Sequence, residues 1–380
     1  MKKTIPYGGQ FIDSQDIKSV SKSLKKELIS GGDLIKKFEK KISNFLNVKH
    51  TLSCSSGTAA LHLSFLALGI KKGDVIIMPI INFISSFNMS NSLGAKIFFA
   101  DVDSKTGQMT PQHLVSCIKK NKIKRIKAVI TMYMGGYPEN IIKFYKLKKK
   151  YNFKIIEDCC HAFGSKYFEK KKLIKIGSCK HSDIATFSLH PLKPITTGEG
   201  GLITTNDNNI YNKVSMLRSH GIIKDKKFHW NYDVLQTGYN YRLSDINCAL
   251  GISQLTKIKN FLQKRKKIYL FYKKNLDGYK KIISFPDYNK NNLPSYHLVI
   301  ININFKNIRE KNNFLKYLIN NSIMCQFHYI PINKFSILRN YKKRFNSSEI
   351  YYKTSLSIPI FHKATSKQLN YIVTKIKEYF

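Results

Sequence analysis

Two stretches of this sequence carry residues that could do covalent chemistry together. IIEDCCHAFG brings a β-branched run to an end on Asp158, and TFSLHPLKPITTGEGGLITTND, from Thr186 to Asp207, carries Ser188 and Lys193. A lysine amine becomes a nucleophile toward a carbonyl when it is partly desolvated, as in Schiff-base enzymes. Lys and Arg together number 65 here, so residue type alone singles out no lysine; most are solvated surface charges. Position does single one out. Ser182 to Leu189 and Gly200 to Thr205 read as short buried strands. The turn between them, rich in Thr and Gly around Glu199, brings Lys193 back over the end of a sheet. Asp158 alone would equally well cap a helix or hold a structural ion pair. Beside Lys193 it becomes a candidate charge partner for the same chemistry.

The elements that must hold these residues follow from the hydrophobic pattern. From about residue 50, short β-branched runs alternate with amphipathic stretches: HTLSCSS, then the helix TAALHLSFLALG, then DVIIMP, AKIFFADVD, KAVITMY and FKIIED. This alternation predicts an α/β chain with a mainly parallel, doubly wound sheet covered on both faces. Ligands of such sheets sit beyond the carboxyl ends of the strands, where Asp158 ends FKIIED. The helix TAALHLSFLALG starts directly after Ser55-Ser56-Gly57, so its free N–H groups offer an anion site. A simple strand–helix turn would look the same in sequence.

A long helical pattern from Ser244 (SDINCALGISQLTKIKNFLQKRKKIYLFYKK) reads as a connector. The remainder predicts a smaller α+β part: strand YHLVIININ, helix KNNFLKYLIN, strands IMCQFHYIPI and SLSIPIF, and a final helix SKQLNYIVTKIKEYF. With 380 residues, two domains are expected, a large one over 1–255 and a small one over 256–380.

The formal charge of +42 invites a nucleic-acid reading. The lysines, however, are spread over nearly every predicted surface helix, with no RNP, zinc-finger or helix-turn-helix pattern, so no nucleic-acid partner is expected. The field instead favours small anionic ligands. No run approaches the ~18 apolar residues of a membrane span, and MKKTIPYGGQ has a basic start without an apolar stretch. A cytoplasmic protein without a membrane partner is expected. Seven cysteines show no C-x-x-C and no metal-ligand spacing, which predicts reduced, mostly buried thiols and no metal site.

IPYGGQFID, SSGTAALHL, the block from GSCKHSD to TTGEGG, LRSHGI, GYNYRLSDINCALG and FHYIPI together resemble the DegT/DnrJ/EryC1/StrS nucleotide-sugar aminotransferases over essentially the whole chain. The resemblance implies a fold-type I, aspartate aminotransferase-like architecture and pyridoxal 5′-phosphate (PLP) as cofactor. It makes Lys193 the lysine that binds PLP covalently and Asp158 the acid on its pyridine nitrogen. Gly57, Thr58 and Ser188 then hold the phosphate, Phe83 stacks on the ring, and His161 approaches its phenolic oxygen. Asn240 would reach the phosphate bound in a neighbouring subunit, which implies a homodimer with shared active sites. Tyr7, Ser30, His328 and Tyr329 fall on segments that line the sugar-nucleotide pocket.

Within the family, GSCKHSD, FHYIPI and Tyr7 favour the branch that aminates C4 of a UDP-linked 4-keto-6-deoxy-N-acetylhexosamine for pseudaminic acid, with L-glutamate as amino donor. Perosamine-, bacillosamine- and legionaminic-type sugars are the alternatives. TMYMGGYPEN, INF and ISGG depart from the family pattern and bear on the choice of sugar. The family's sugar 3-dehydratases carry His where Lys193 stands, which argues against that chemistry. A non-catalytic regulator on the same fold would be expected to lack Lys193 or Asp158.

Overall fold

A computed structural model describes residues 4–225, 227–228 and 230–380. Its strands in chain order are β1 (His50–Cys54), β2 (Val75–Pro79), β3 (Lys96–Ala100), β4 (Ala128–Met132), β5 (Lys154–Asp158), β6 (Lys166–Glu169), β7 (Lys172–Lys175), β8 (Ile184–Ser188) and β9 (Gly201–Thr205). Then come β10 (Ile222–Lys224), β11 (Tyr232–Val234), β12 (Ile283–Ser284), β13 (Val299–Ile303) and β14 (Ser355–Ile358). Seven of them form one sheet in the order β1-β9-β8-β5-β4-β2-β3. From β8 to β3 every pairing is parallel, while β9 runs antiparallel to both β8 and β1.

The strands are buried on both faces, which explains why they read as unbroken apolar runs. Along β4 and β5 the side chains alternate between two cores. Val129 and Ile155 join Phe38, Ile42 and Leu46 of the helix Asp33–Leu46. Ala128, Ile130 and Ile156 join Leu61 and Phe65 of the helix Gly57–Ala67. That second helix is buried almost all round, as its apolar composition requires.

A separate three-stranded antiparallel sheet, β12-β13-β14, packs its apolar face with the helices Ile308–Asn320 and Ser366–Tyr379 and with Ile268, Tyr272 and Leu276 of the helix Ile258–Leu276.

Three expectations change. The helical pattern from Ser244 is two helices, Asp245–Thr256 and Ile258–Leu276, meeting at Lys257. IMCQFHYIPI is not a regular strand. Among the described residues its backbone makes the bridges Ile323 to Ile5 and Gln326 to Ser357, after which the chain leaves the edge toward Pro331 and the Ile332 N–H donates to Ile80 O at 3.0 Å. Proline has no N–H to continue a ladder. The hairpin β6–β7 was not expected, because its turn is Lys170-Lys171, both at positive φ (43° and 67°), where Asn-Gly would be the usual signal.

Candidate active site

The carboxyl ends of β1, β5 and β8 meet the start of β9 at one point of the sheet. Register pairs Gly201 with both Cys54 and Ser188, and Asp158 with Thr186. After β1, Ser56 caps the helix Gly57–Ala67, its Oγ accepting from the Ala59 N–H at 3.0 Å. The N–H groups of Gly57 and Thr58 are left without an intrahelical acceptor.

The fit around this turn is close. A side-chain carbon on Gly57 would lie 2.9 Å from Ser188 Cβ, and one on Gly201 would lie 2.2 Å from the Ser56 carbonyl oxygen. Both glycines are therefore required by close approach, and the backbone of the turn lies bare beside the Ser188 hydroxyl.

A cleft of about 500 Å³ opens over these strand ends. Tyr7, Gly57, Thr58, Phe83, Asp158, His161, Ser188, Lys193, His328 and Tyr329 all line it, so ten of the residues expected from sequence share one site. Ser30 and Asn240 do not line it. Both are exposed, and Asn240 forms a backbone bridge to Ser219. Cys160, His297 and Phe327 also line the cleft and were not anticipated. Cys160 lies two residues beyond Asp158, which could have flagged it; His297 and Phe327 carry no such signal. Of the segments that depart from the family pattern, Asn82 lines the cleft, whereas Met134–Gly136 is a buried turn behind it.

Asp158 is buried, and its Oδ1 accepts from the Cys160 N–H at 3.1 Å. Burial raises its pKa, opposed by hydrogen bonds from Cys160 and by the Lys193 charge. Burial lowers the Lys193 pKa, opposed by Cys160 and Asp158, while Arg265 pushes it further down. A lysine with a depressed pKa has more of the neutral, nucleophilic amine at a given pH.

Beside them, three buried histidines cluster. The His161 ring lies 4.4 Å from that of His297 and 5.9 Å from that of His328. Burial holds all three neutral, His328 down to about 3. His161 Nε2 and the Tyr329 hydroxyl are 2.9 Å apart, and the buried His161 Nδ1 has no hydrogen-bond partner among the described residues. Phe83 turns a half-exposed ring into the cleft, 5.7 Å from that of Tyr329.

An α/β sheet with one reversed strand, with a buried acid, a desolvated lysine and a helix N-terminus at its carboxyl edge, is the arrangement that the resemblance to fold-type I, PLP-dependent aminotransferases implies. The family follows from comparison: the profile of the DegT/DnrJ/EryC1/StrS aminotransferases matches residues 10–377, and the chain belongs to that family. It is 37% identical to the UDP-4-amino-4,6-dideoxy-N-acetyl-beta-L-altrosamine transaminase of Campylobacter jejuni subsp. jejuni serotype O:23/36 (strain 81-176), over 97% of this chain and 95% of that one. It is 31% identical to the GDP-perosamine synthase of Escherichia coli O157:H7, over 100% of this chain and 99% of the other. Among solved structures, Helicobacter pylori PseC, an aminotransferase of pseudaminic acid biosynthesis, superposes with a TM-score of 0.89 at 28% identity, covering 100% of this chain and 99% of that one. A Streptococcus pneumoniae sugar aminotransferase solved in its PLP form shares the fold with a TM-score of 0.89 at 24% identity, covering 99% of this chain and 98% of the other.

The chain is thus a sugar aminotransferase, and PLP is its cofactor. The residues present fit that group. The bare Gly57–Thr58 turn and Ser188 suit a phosphate, the buried Asp158 suits a protonated pyridine nitrogen, and the unpartnered His161 Nδ1 leaves a polar atom for a ring substituent.

Proposed function

We propose that this enzyme moves an amino group from L-glutamate to C4 of a UDP-linked 4-keto-6-deoxy-N-acetylhexosamine, as a UDP-4-amino-4,6-dideoxy-N-acetyl-β-L-altrosamine transaminase. The observation that carries the chemistry is the placement of Lys193 in one cleft with Asp158 and the Gly57–Thr58 turn. The choice of sugar rests on the similarity to the Campylobacter enzyme.

When bound, PLP supplies an electron sink for the bond broken at the donor's Cα. The residues of the chain do the rest. Asp158 holds the proton on the pyridine nitrogen. Gly57, Thr58 and Ser188 anchor the phosphate, and Phe83 covers the ring. Lys193 Nζ, once released, takes the proton from the donor's Cα and returns it on the far side of the reaction as general base and acid. His161 and Tyr329 form one hydrogen-bonded pair at the substrate side, with Tyr7 and His328 beside them. The amine is then given to the ketosugar by the same steps in reverse, a ping-pong cycle.

The same reading has a second copy of the chain complete the site, with Asn240 serving the partner's phosphate. It is supported by the exposed apolar side chains of Ile223, Tyr232, Val234 and Leu235 on the segment leading to Asn240, which a homodimer would cover. Ser30, exposed on the turn before Gly32, belongs with the substrate residues only on the strength of the resemblance. Residues 1–255 act as the cofactor-binding domain and 256–380 as the small domain, supported by the separate apolar core around β12–β14. We place the enzyme in the cytoplasm, where nucleotide sugars are made. Among the described residues no helix is long and apolar enough to cross a membrane.

Competition decides the sugar. UDP-2-acetamido-2,6-dideoxy-β-L-arabino-hexos-4-ulose, its D-xylo epimer and GDP-4-keto-6-deoxymannose are offered at equal concentration with glutamate. The expected preference in kcat/KM is for the first. Preference for the GDP sugar would favour perosamine synthesis instead, the activity named for the E. coli relative.

A further inference from the structure

The helix Ile258–Leu276 follows the two-faced pattern of a surface helix, with Phe261, Ile268, Tyr269 and Tyr272 inside and Lys266 and Lys267 in solvent. Arg265 breaks the pattern. In a chain with 65 basic residues, this one points inward and is only 6% exposed. Among the described residues no carboxylate pairs with it. Its two hydrogen bonds go to backbone carbonyls, from Nη1 to His297 O at 3.0 Å and from Nη2 to Leu192 O at a long 3.5 Å. Burying an unpaired guanidinium is costly, so the position calls for a role beyond packing.

The two acceptors give that role a location. Leu192 directly precedes Lys193, and the His297 ring lies tilted against that of His161, 4.4 Å away, in the lining of the same cleft. We propose that Arg265 is a positioning residue for the transamination, a fork that ties the turn bearing Lys193 to the His297 wall and holds a fixed positive charge behind the lysine amine. The inference rests on Lys193 being the residue that binds PLP.

The electrostatics agree with the geometry. Burial lowers the Arg265 pKa only to about 10, so the guanidinium stays charged at neutral pH. The groups acting on Lys193 then divide. Asp158 and Cys160 favour its protonated form; Arg265 disfavours it, and His161, His297 and His328 are held neutral. Removing the Arg265 charge must therefore raise the pKa of the Lys193 nitrogen. Keeping the charge but losing the fork must loosen the turn without that rise.

The test uses the PLP-loaded full-length enzyme. The lysine-linked cofactor absorbs differently with its nitrogen protonated or neutral, so a pH titration of the visible spectrum gives a midpoint that does not depend on turnover. Arg265→Met is expected to raise that midpoint by about one unit. Arg265→Lys is expected to leave the midpoint in place while cofactor loss on dialysis becomes several-fold faster. A folded Arg265→Met with an unmoved midpoint overturns the proposal. So does an Arg265→Lys protein that matches wild type in both measurements, and this arm stands alone if Arg265→Met does not fold. A purely structural arginine would lower Tm in both variants and move neither readout. If Lys193→Ala gave the wild-type spectrum and titration, the reading of Lys193 itself would fail, an outcome distinct from either of these.

Discussion

The floor of the cleft and its substrate-side wall are built in different ways. The floor is made of strand ends locked in register, with Asp158, Ser188 and the Ser56–Gly57 turn held by hydrogen-bonded neighbours and by glycines that admit no side chain. The wall is made of irregular chain: Tyr7 near the N-terminus, and Gln326 to Tyr329 after they leave the edge of the small sheet. Apart from the backbone bridge of Gln326 to Ser357 and the Ile360 N–H donating to Tyr7 O at 2.9 Å, single side-chain contacts hold the wall. Tyr351 donates to His328 O at 2.9 Å, His328 Nδ1 and Ser357 Oγ are 2.9 Å apart, and the Lys311 amine lies 3.9 Å from the centre of the Phe327 ring. Chemistry common to a family suits the first construction, and choice of substrate suits the second, because a wall held by side chains can change by single substitutions without disturbing strand register.

That contrast is open to breakage at four places. Lys193→Ala should cause the largest loss, at least about 10²–10⁴-fold in turnover, while PLP still binds non-covalently on the floor. Borohydride reduction followed by peptide mapping should find wild-type label on Lys193, and label on another lysine would undo the assignment. Next in size is Gly57→Ala, which drives a carbon against Ser188 where the floor has no slack. Overpacking of about 1–3 kcal/mol predicts cofactor affinity reduced roughly 10-fold or more, measured by dialysis against limiting PLP. Unchanged affinity would show the floor to be softer than its register suggests.

Tyr329→Phe removes one hydrogen bond, to His161, worth about 0.5–1.5 kcal/mol. It should lower kcat/KM for the ketosugar roughly 3- to 10-fold and leave the cofactor spectrum unchanged. A matching loss of PLP would mean that wall and floor are not separable.

The smallest effect on turnover is expected from Lys311→Met, whose readout is stability instead. Lys311 is fully buried among aromatic rings and donates to Tyr352 O, and burial pushes its pKa from 10.5 down to about 7. Between those two values the unfolded chain holds a proton that the folded chain has released, so stability rises with pH across that window. Below about 7 both states are protonated and the slope vanishes. The Tm of wild type minus that of Lys311→Met should therefore climb from pH 7 to 9, and a flat difference would remove Lys311 from the account.

The sequence was legible where local pattern and sheet position agree. All seven strands of the main sheet stand where their apolar runs lie, and the residues at the ends of β5 and β8 could be named as candidates before any geometry was known. It was misleading where a contact from far away decides. IMCQFHYIPI has the composition of a strand, but it pairs through isolated bridges at Ile323 and Gln326, and with the missing N–H of Pro331 it becomes the wall of the cleft. Lys170-Lys171 makes a turn that no residue preference announces. Arg265 and His297 were invisible because each matters only through a carbonyl or a ring supplied by another part of the chain. Ser30 and Asn240 were assigned by resemblance alone, and within one chain they stand apart from the cleft.

The reversed direction of β9 has a consequence for the order in which the site comes together. A parallel neighbour for β8 would require a crossover of a dozen residues or more, usually through a helix. Running backwards, β9 needs only the loop from Leu189 to Gly200, the one that carries Lys193. Closing a short loop costs little chain entropy, and contacts close in sequence form fastest. The phosphate turn is a different matter, since β1 must return from far up the chain to reach the other side of β9. Pulse-labelled hydrogen exchange during refolding should accordingly find β8 and β9 protected before β1. The newly made chain would then possess the anchor for its cofactor before it possesses the cradle.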